Sequence, residues 1–348
     1  MPNIEARMAC CLVGSPEALP RTAESLFQFL ANPMQAHLFM ASTVRTQSDR
    51  DALRSGLALL NSTGLVKAVA AGSYEELFAG LPFHDVAKAE SWNRSFHHHN
   101  AKGSRSYRYT SLGLAVQLFS RFACFRLMQS YQGISHDSPG STTYGVFARV
   151  RIDTLFFEPL PLMWAHAVLE RRSTAVIPTG EDYGAPRNST ADPGWALMDK
   201  LLVGDAVAFH ADATVWRTML DGTLLPDGWI HEILHGLHLV KVSCLNVVRH
   251  PLAYCIADGQ GRCRFGGELL QTFIQLGKAN ATSLLRTQPQ LCDLQRPLEG
   301  GTPSRRVQAP EAMLRRDPGL CGLVSFCRSA QSNHSARTGS IPLFRMAI

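Results

Sequence analysis

A mixed α/β fold, with a mostly parallel central sheet and helices on both faces, is what this sequence predicts, on three observations. Residues 8–14 form an unbroken apolar run closed by Gly14, the pattern of a strand buried on both faces. A segment of helical period and a second apolar run follow it, so the chain opens β-α-β. The 348 residues are 45% hydrophobic and 18% charged, enough apolar material to cover such a sheet.

Taken in order, residues 20–30 carry Leu26, Phe27, Phe29 and Leu30 at helical spacing, and 36–41 read as the second strand. Residues 49–60 read as a helix and 65–71 as a short strand. Residues 83–109 are polar and include His97, His98 and His99. Three consecutive histidines cannot all face one ion from a regular element, so this stretch is expected to be a loop. Residues 111–131 read as a long amphipathic helix whose stripe includes Leu114, Leu118, Phe119, Phe122 and Phe125. Residues 144–153 are the clearest strand. Val146, Ala148, Val150 and Ile152 share one parity; Phe147, Arg149, Arg151 and Asp153 share the other. Residues 174–178 read as a further strand and 181–193 as a loop. A short helix is expected over 195–202, a turn and strand over 203–209, and a return to the sheet over 239–248. The whole is doubly wound and Rossmann-like. One domain is expected over 1–293, followed by a basic, poorly ordered tail over 294–348 rich in Pro, Gly, Ser and Arg.

The net charge of +6 suggests nucleic acid until it is located. From Arg296 onward there are eight arginines against Glu299, Glu311 and Asp317, so the excess lies in the tail and the body is nearly neutral. That distribution argues against nucleic-acid binding. No apolar run reaches the length of a membrane span, and the N-terminus does not read as a signal peptide. Among nine cysteines there is no Cys-x-x-Cys pair, which argues against a structural zinc site. Cys10 and Cys11 are expected to be buried thiols; the six from Cys244 to Cys327 can pair in an oxidising compartment. Asn61, Asn93, Asn188, Asn280 and Asn333 all stand in Asn-x-Ser/Thr sequons, five of the nine asparagines. This favours a glycoprotein of the secretory lumen, Golgi or endoplasmic reticulum; without a leader or anchor, the cytoplasm is the other expectation.

Chemistry concentrates at the end of the 144–153 strand. Ligands of α/β sheets bind beyond the carboxyl ends of strands. Asp153 there can hold a divalent ion, and Arg149 and Arg151 can meet phosphate oxygens through their planar forks. A ladder of ion pairs on one strand face would use the same residues.

Several short motifs, in order, resemble GT-A-like glycosyltransferases, and within them a group from eukaryotic microbes. They are the opening Cys11 to Gly14 with Arg21, the helix from Gln117 to Phe122, Arg149-x-Arg151-x-Asp153, and the strand ending at Pro178. The loop Gly180 to Gly184 with Asp182, then Asp199-Lys200, and then His231-Glu232 complete the series. The resemblance spans roughly residues 8–255. It implies a nucleotide-sugar donor, an acceptor of unknown kind and a possible Mn or Mg ion. Gly14, Arg21, Arg149, Arg151, Asp153 and Asp182 would contact the donor. Asp153 would stand for the last acid of a D-x-D metal motif. Asp199, beside the sugar pocket, and Glu232, a late-motif acid, are the expected catalytic positions. Arg151 replaces the first acid of D-x-D, so only half of that metal motif is kept, and Met198 replaces the usual Asn. Asp182 can equally cap its own turn.

Two other readings use the same chain. His231-Glu232-x-x-His235 is a literal H-E-x-x-H, the spacing that turns two imidazoles toward one zinc in a metallopeptidase. Pro226 and Gly228 would start that helix almost at His231, and His238 lies two turns beyond it, about 10 Å along the axis. The half-kept D-x-D also fits a catalytically inactive GT-A-like binding protein.

Overall fold

The structure, a computed structural model, describes residues 7–61, 63–94, 111–136, 144–178, 197, 199–226, 229–250, 252, 254–257 and 263–265. The triple histidine at 97–99, the loop at 181–193 with Asp182, and the tail over 294–348 lie outside the described residues.

The strands of the main sheet are β1 (Arg7–Gly14), β2 (His37–Thr43), β3 (Val66–Gly72), β4 (Tyr144–Arg151), β6 (Thr174–Pro178), β7 (Leu201–Gly204) and β8 (Asn246–His250). Their order is β3-β2-β1-β4-β7-β6-β8. All neighbours run parallel except β7, which is antiparallel to both β4 and β6. A smaller antiparallel sheet joins β5 (Thr154–Phe156), β9 (Tyr254–Ala257) and β10 (Cys263–Phe265) in the order β10-β9-β5. The expected mostly parallel α/β architecture is therefore present.

Parity sorts the side chains into two cores. On β1, Met8, Cys10 and Leu12 pack with Val146, Ala148 and Val150 of β4 against α1 (Leu19–Leu26) and α2 (Gln47–Asn61). The same core reaches Trp164 and Val168 of α6 (Leu162–Glu170). Gly56 of α2 lies against the Leu19 side chain, where any Cβ would collide, so the two helices close only on a glycine. The opposite parity, Ala9, Cys11 and Val13 with Phe147, faces Leu114, Leu118 and Phe119 of α5 (Ser111–His136). Helices on both faces follow directly from strands apolar on both faces. No helix among the described residues is long and apolar enough to cross a membrane.

Four expectations change. Leu201 and Leu202 are strand rather than helix, because Leu201, Leu202 and Val203 are all fully buried in the sheet. Residues 206–213 form a helix, α7 (Ala206–Ala213), rather than a strand. Asp205 caps it, its carboxylate accepting from the Ala208 amide at 2.8 Å, and the alanine-rich run then favours helix. Residues 237–242 continue α9 (His231–Gly236) as a π-helical turn, and strand resumes only at Asn246. Cys11 is not a free thiol: it is bonded to Cys124, which joins β1 to α5 across 113 residues. Cys10, one residue away and of opposite parity, stays a buried free thiol. Cys244 and Cys255 are disulfide-bonded as well.

Candidate functional site

The sheet changes direction of winding at β1. From β1 the chain steps outward through β2 to β3, then returns to place β4 on the other side. Such a switch leaves a crevice beyond the strand ends. Here those ends are Gly14 on β1 and the turn Ile152–Asp153 after β4. The Ile152 amide donates to the Val13 carbonyl at 2.9 Å, which carries the β1–β4 pairing to the last residue. Thr22 of α1 donates its hydroxyl to the Ile152 carbonyl at 2.6 Å and anchors the turn from the helix side. Gly14 has φ +131°, a conformation side-chain-bearing residues rarely adopt. The Asp153 carbonyl accepts from the Ala257 amide at 2.7 Å, so Asp153 sits at the joint of the two sheets. Arg21 is exposed on α1, one residue before the anchoring Thr22.

Because β7 runs antiparallel to β4, its start lies at the end of β4. The Arg151 amide donates to the Lys200 carbonyl at 3.2 Å, which brings Asp199 and Lys200 to the same edge. The Leu197 amide donates to the Glu232 carbonyl at 3.0 Å and draws the start of α9 to that segment. The structure thus gathers Gly14, Arg151, Asp153, Asp199, Lys200, His231 and Glu232 around one end of the sheet.

Arg149 has a different environment. Its parity turns it under α5 and α7, and it is 1% exposed. Its Nε and Nη2 donate to Asp212 of α7 at 2.9 and 3.0 Å, and its Nη1 donates to the Asp199 carbonyl. Arg121 of α5 joins them, with Nη2 donating to Asp199 Oδ2 at 3.0 Å and Nη1 to Asp212 Oδ1 at 3.3 Å. Two arginines and two aspartates therefore form a buried network. Burial would raise both carboxyls, but the guanidinium groups and the neighbouring histidines hold them well below the carboxylate range. By contrast, Arg151 and Asp153 are each about a quarter exposed and pair with each other at 2.6 and 2.9 Å. Neither Arg121 nor Asp212 stood out in the sequence. The available signal was Asp212 itself, a lone acid in the apolar helix that faces the strand carrying Arg149.

The histidines of the H-E-x-x-H spacing part company. His231 Nε2 lies 2.8 Å from Glu232 Oε1 and 3.4 Å from Asp199 Oδ1. His235 Nε2 lies 2.7 Å from Asp212 Oδ1, inside the arginine network. His238 pairs through Nδ1 with the Thr218 hydroxyl at 2.7 Å. The three rings thus address three different partners, and the helical stretch before the π turn is only six residues long. Burial alone would lower His231, but the Glu232 and Asp199 carboxylates outweigh it and raise the ring to about 10. Burial pushes the Lys200 ammonium down to about 8; Arg151 pushes the same way, against the pull of Glu232 and Asp153. Burial lowers His238 to about 3, so it is neutral.

No protein-family model matches the chain, and no curated protein matches it in sequence. Among solved structures it is similar to mouse xyloside xylosyltransferase 1 in its apo form, at 10% identity and a TM-score of 0.39, over 71% of this chain and 84% of that one. It is also similar to the apo bifunctional glycosyltransferase WbbM, at 10% identity and a TM-score of 0.40, over 72% of this chain and 40% of that one. Both names are those of sugar transferases, but likenesses this distant carry no weight in the reading of the site.

Proposed function

We propose that the chain transfers a sugar from a nucleotide-diphosphate donor bound beyond the ends of β1 and β4. The observation that carries this reading is the gathering of Gly14, Arg151, Asp153, Lys200 and Glu232 at the topological switch of an α/β sheet. The ordered motifs of the sequence point to the same chemistry.

In this reading Gly14 lets a ligand approach the end of β1 without meeting a side chain. Arg151 and Lys200 supply positive charge where a leaving diphosphate gathers negative charge, and fixed cations stabilise that charge most when partly desolvated. Arg149 acts beneath them, holding Asp212 and the Asp199 carbonyl rather than touching the donor. Asp153 alone does not fit a metal. Both of its oxygens are engaged by Arg151, and the position two before it is that same arginine rather than a second acid. In the same reading Asp199 and Glu232, brought to this edge with Lys200, would stand beside the transferred sugar.

The test is direct titration of the purified chain with uridine and guanosine diphosphate sugars. Saturable binding that weakens at least tenfold in Arg151→Ala supports the reading. No binding to any nucleotide sugar would reject it in favour of an inactive relative or a different chemistry.

A further inference from the structure

Asp199, His231 and Glu232 bring one ligand atom each to within 4.8 Å of one another, with Asp199 and Glu232 nearly fully buried and His231 partly so. Ligand atoms bound to one first-row ion at about 2.1 Å stand roughly 3 to 4 Å apart. The His231 Nε2 distances of 2.8 and 3.4 Å therefore need only small side-chain adjustments to open a coordination site, with Nε2 releasing to solvent the proton it shares with Glu232 as the ion enters. A second observation points into the cluster. Asp199 Oδ1 is buried and is left without a hydrogen bond of ordinary geometry, with His231 Nε2 standing 3.4 Å away. A buried carboxylate oxygen left without a hydrogen bond is costly unless something else meets it. Its sister oxygen, Oδ2, is fixed by Arg121 at 3.0 Å, which aims Oδ1 at the other two groups. Support of a ligand from behind by a hydrogen-bonded partner is how metal sites hold their geometry.

We infer that Asp199, His231 and Glu232 form a binding site for a divalent first-row transition ion. One imidazole with two carboxylates suits Mn²⁺ or Zn²⁺ better than Ca²⁺, which takes six to eight oxygens. The site differs from both cation arrangements the sequence suggested. It uses neither Asp153, which Arg151 occupies, nor His235, which Asp212 occupies. It rests on the geometry of this cluster and does not require the sugar-transfer reading.

The experiment uses the full chain, stripped with a chelator and titrated with Mn²⁺. One saturable site is expected, and the electron spin echo of the bound ion should be modulated by the nitrogen of a single imidazole. His231→Ala is expected to abolish that modulation and weaken binding at least tenfold, with Glu232→Gln also weakening it. Asp153→Asn is expected to leave the affinity within twofold. The wild-type measurement needs no variant, so loss of fold in His231→Ala cannot hide the answer. No saturable site, no nitrogen modulation, or modulation from two imidazoles would overturn the inference. Metal binding without nucleotide-sugar binding would keep this site and reject the proposed donor; the reverse result would do the opposite.

Discussion

Arg149 and Arg151 stand two apart on one face of one strand, yet their fates differ because the helix layer ends between them. Arg149 lies under α5 and α7 and is paired to Asp212 through two nitrogens. Arg151 lies at the strand end, partly in solvent. Alternation alone reveals that the two share a face; it does not reveal where the covering helices stop. The consequence is measurable by denaturant unfolding. Arg149→Met leaves Asp212 buried with a reduced share of its charge partners, and a loss of about 3–5 kcal/mol is expected. Arg151→Ala removes a part-exposed pair, and a loss of about 1 kcal/mol or less is expected. Equal losses would mean that the two arginines do not differ in this way. The spacing of His231 and His235 teaches the same lesson. One turn of helix places two rings on one side, but Asp199 and Asp212, far apart in sequence, decide what each ring meets.

The opening β-α-β, the long helix α5 and the strand β4 were legible at the level of elements because each carries a long, clean periodicity. The region from 195 to 248 was not. Leu201 to Val203 is too short an apolar run to separate strand from helix, and β7 takes its direction from pairing with β4 and β6. Asp205 ahead of an alanine-rich run is the signal that marks the start of α7, and the expected strand over 203–209 overlooks it. The Cys11–Cys124 bond was also beyond periodicity, since its partners are 113 residues apart. A cross-link closing a loop of that length stabilises mainly by restricting the unfolded chain. Cys124→Ala is expected to lower stability by about 2–5 kcal/mol in an oxidised preparation, and reduction of the wild type, which also opens the bonds of Cys244 and Cys255, should cost at least as much. An unchanged melting temperature on reduction would mean that the bond contributes nothing to the fold.

Across the whole molecule, the two parities of the strands account for the two cores, and the switch at β1 accounts for where polar residues of distant origin meet. Residues 14, 151–153, 199–200 and 231–232 reach one edge only because β7 is antiparallel and α9 is tied back to Leu197. No local pattern in the sequence contains that information. Acid stability belongs to this scale as well. His238 is held neutral, lowered from 6.5 to about 3, so the unfolded chain binds a proton there that the folded chain refuses. Stability from this group is present above pH 6.5 and is lost as pH falls from there toward 3, at most about 1.4 kcal/mol per pH unit. Asp212, held low, extends the loss below its ordinary value of 3.8. Stability measured from pH 7 to 4 should slope less in His238→Gln than in the wild type. Parallel profiles would show that another group governs the acid limb.

What binds beyond the ends of β1 and β4 decides the chemistry of the chain. Calorimetric titration of the wild type, Arg151→Ala and Arg151→Lys with nucleotide-diphosphate sugars, with and without Mn²⁺, measures this most directly. Saturable binding to the wild type is expected, at least tenfold weaker in Arg151→Ala and partly recovered in Arg151→Lys. Binding that is indifferent to Arg151, or no binding of any nucleotide sugar with or without the ion, would contradict it.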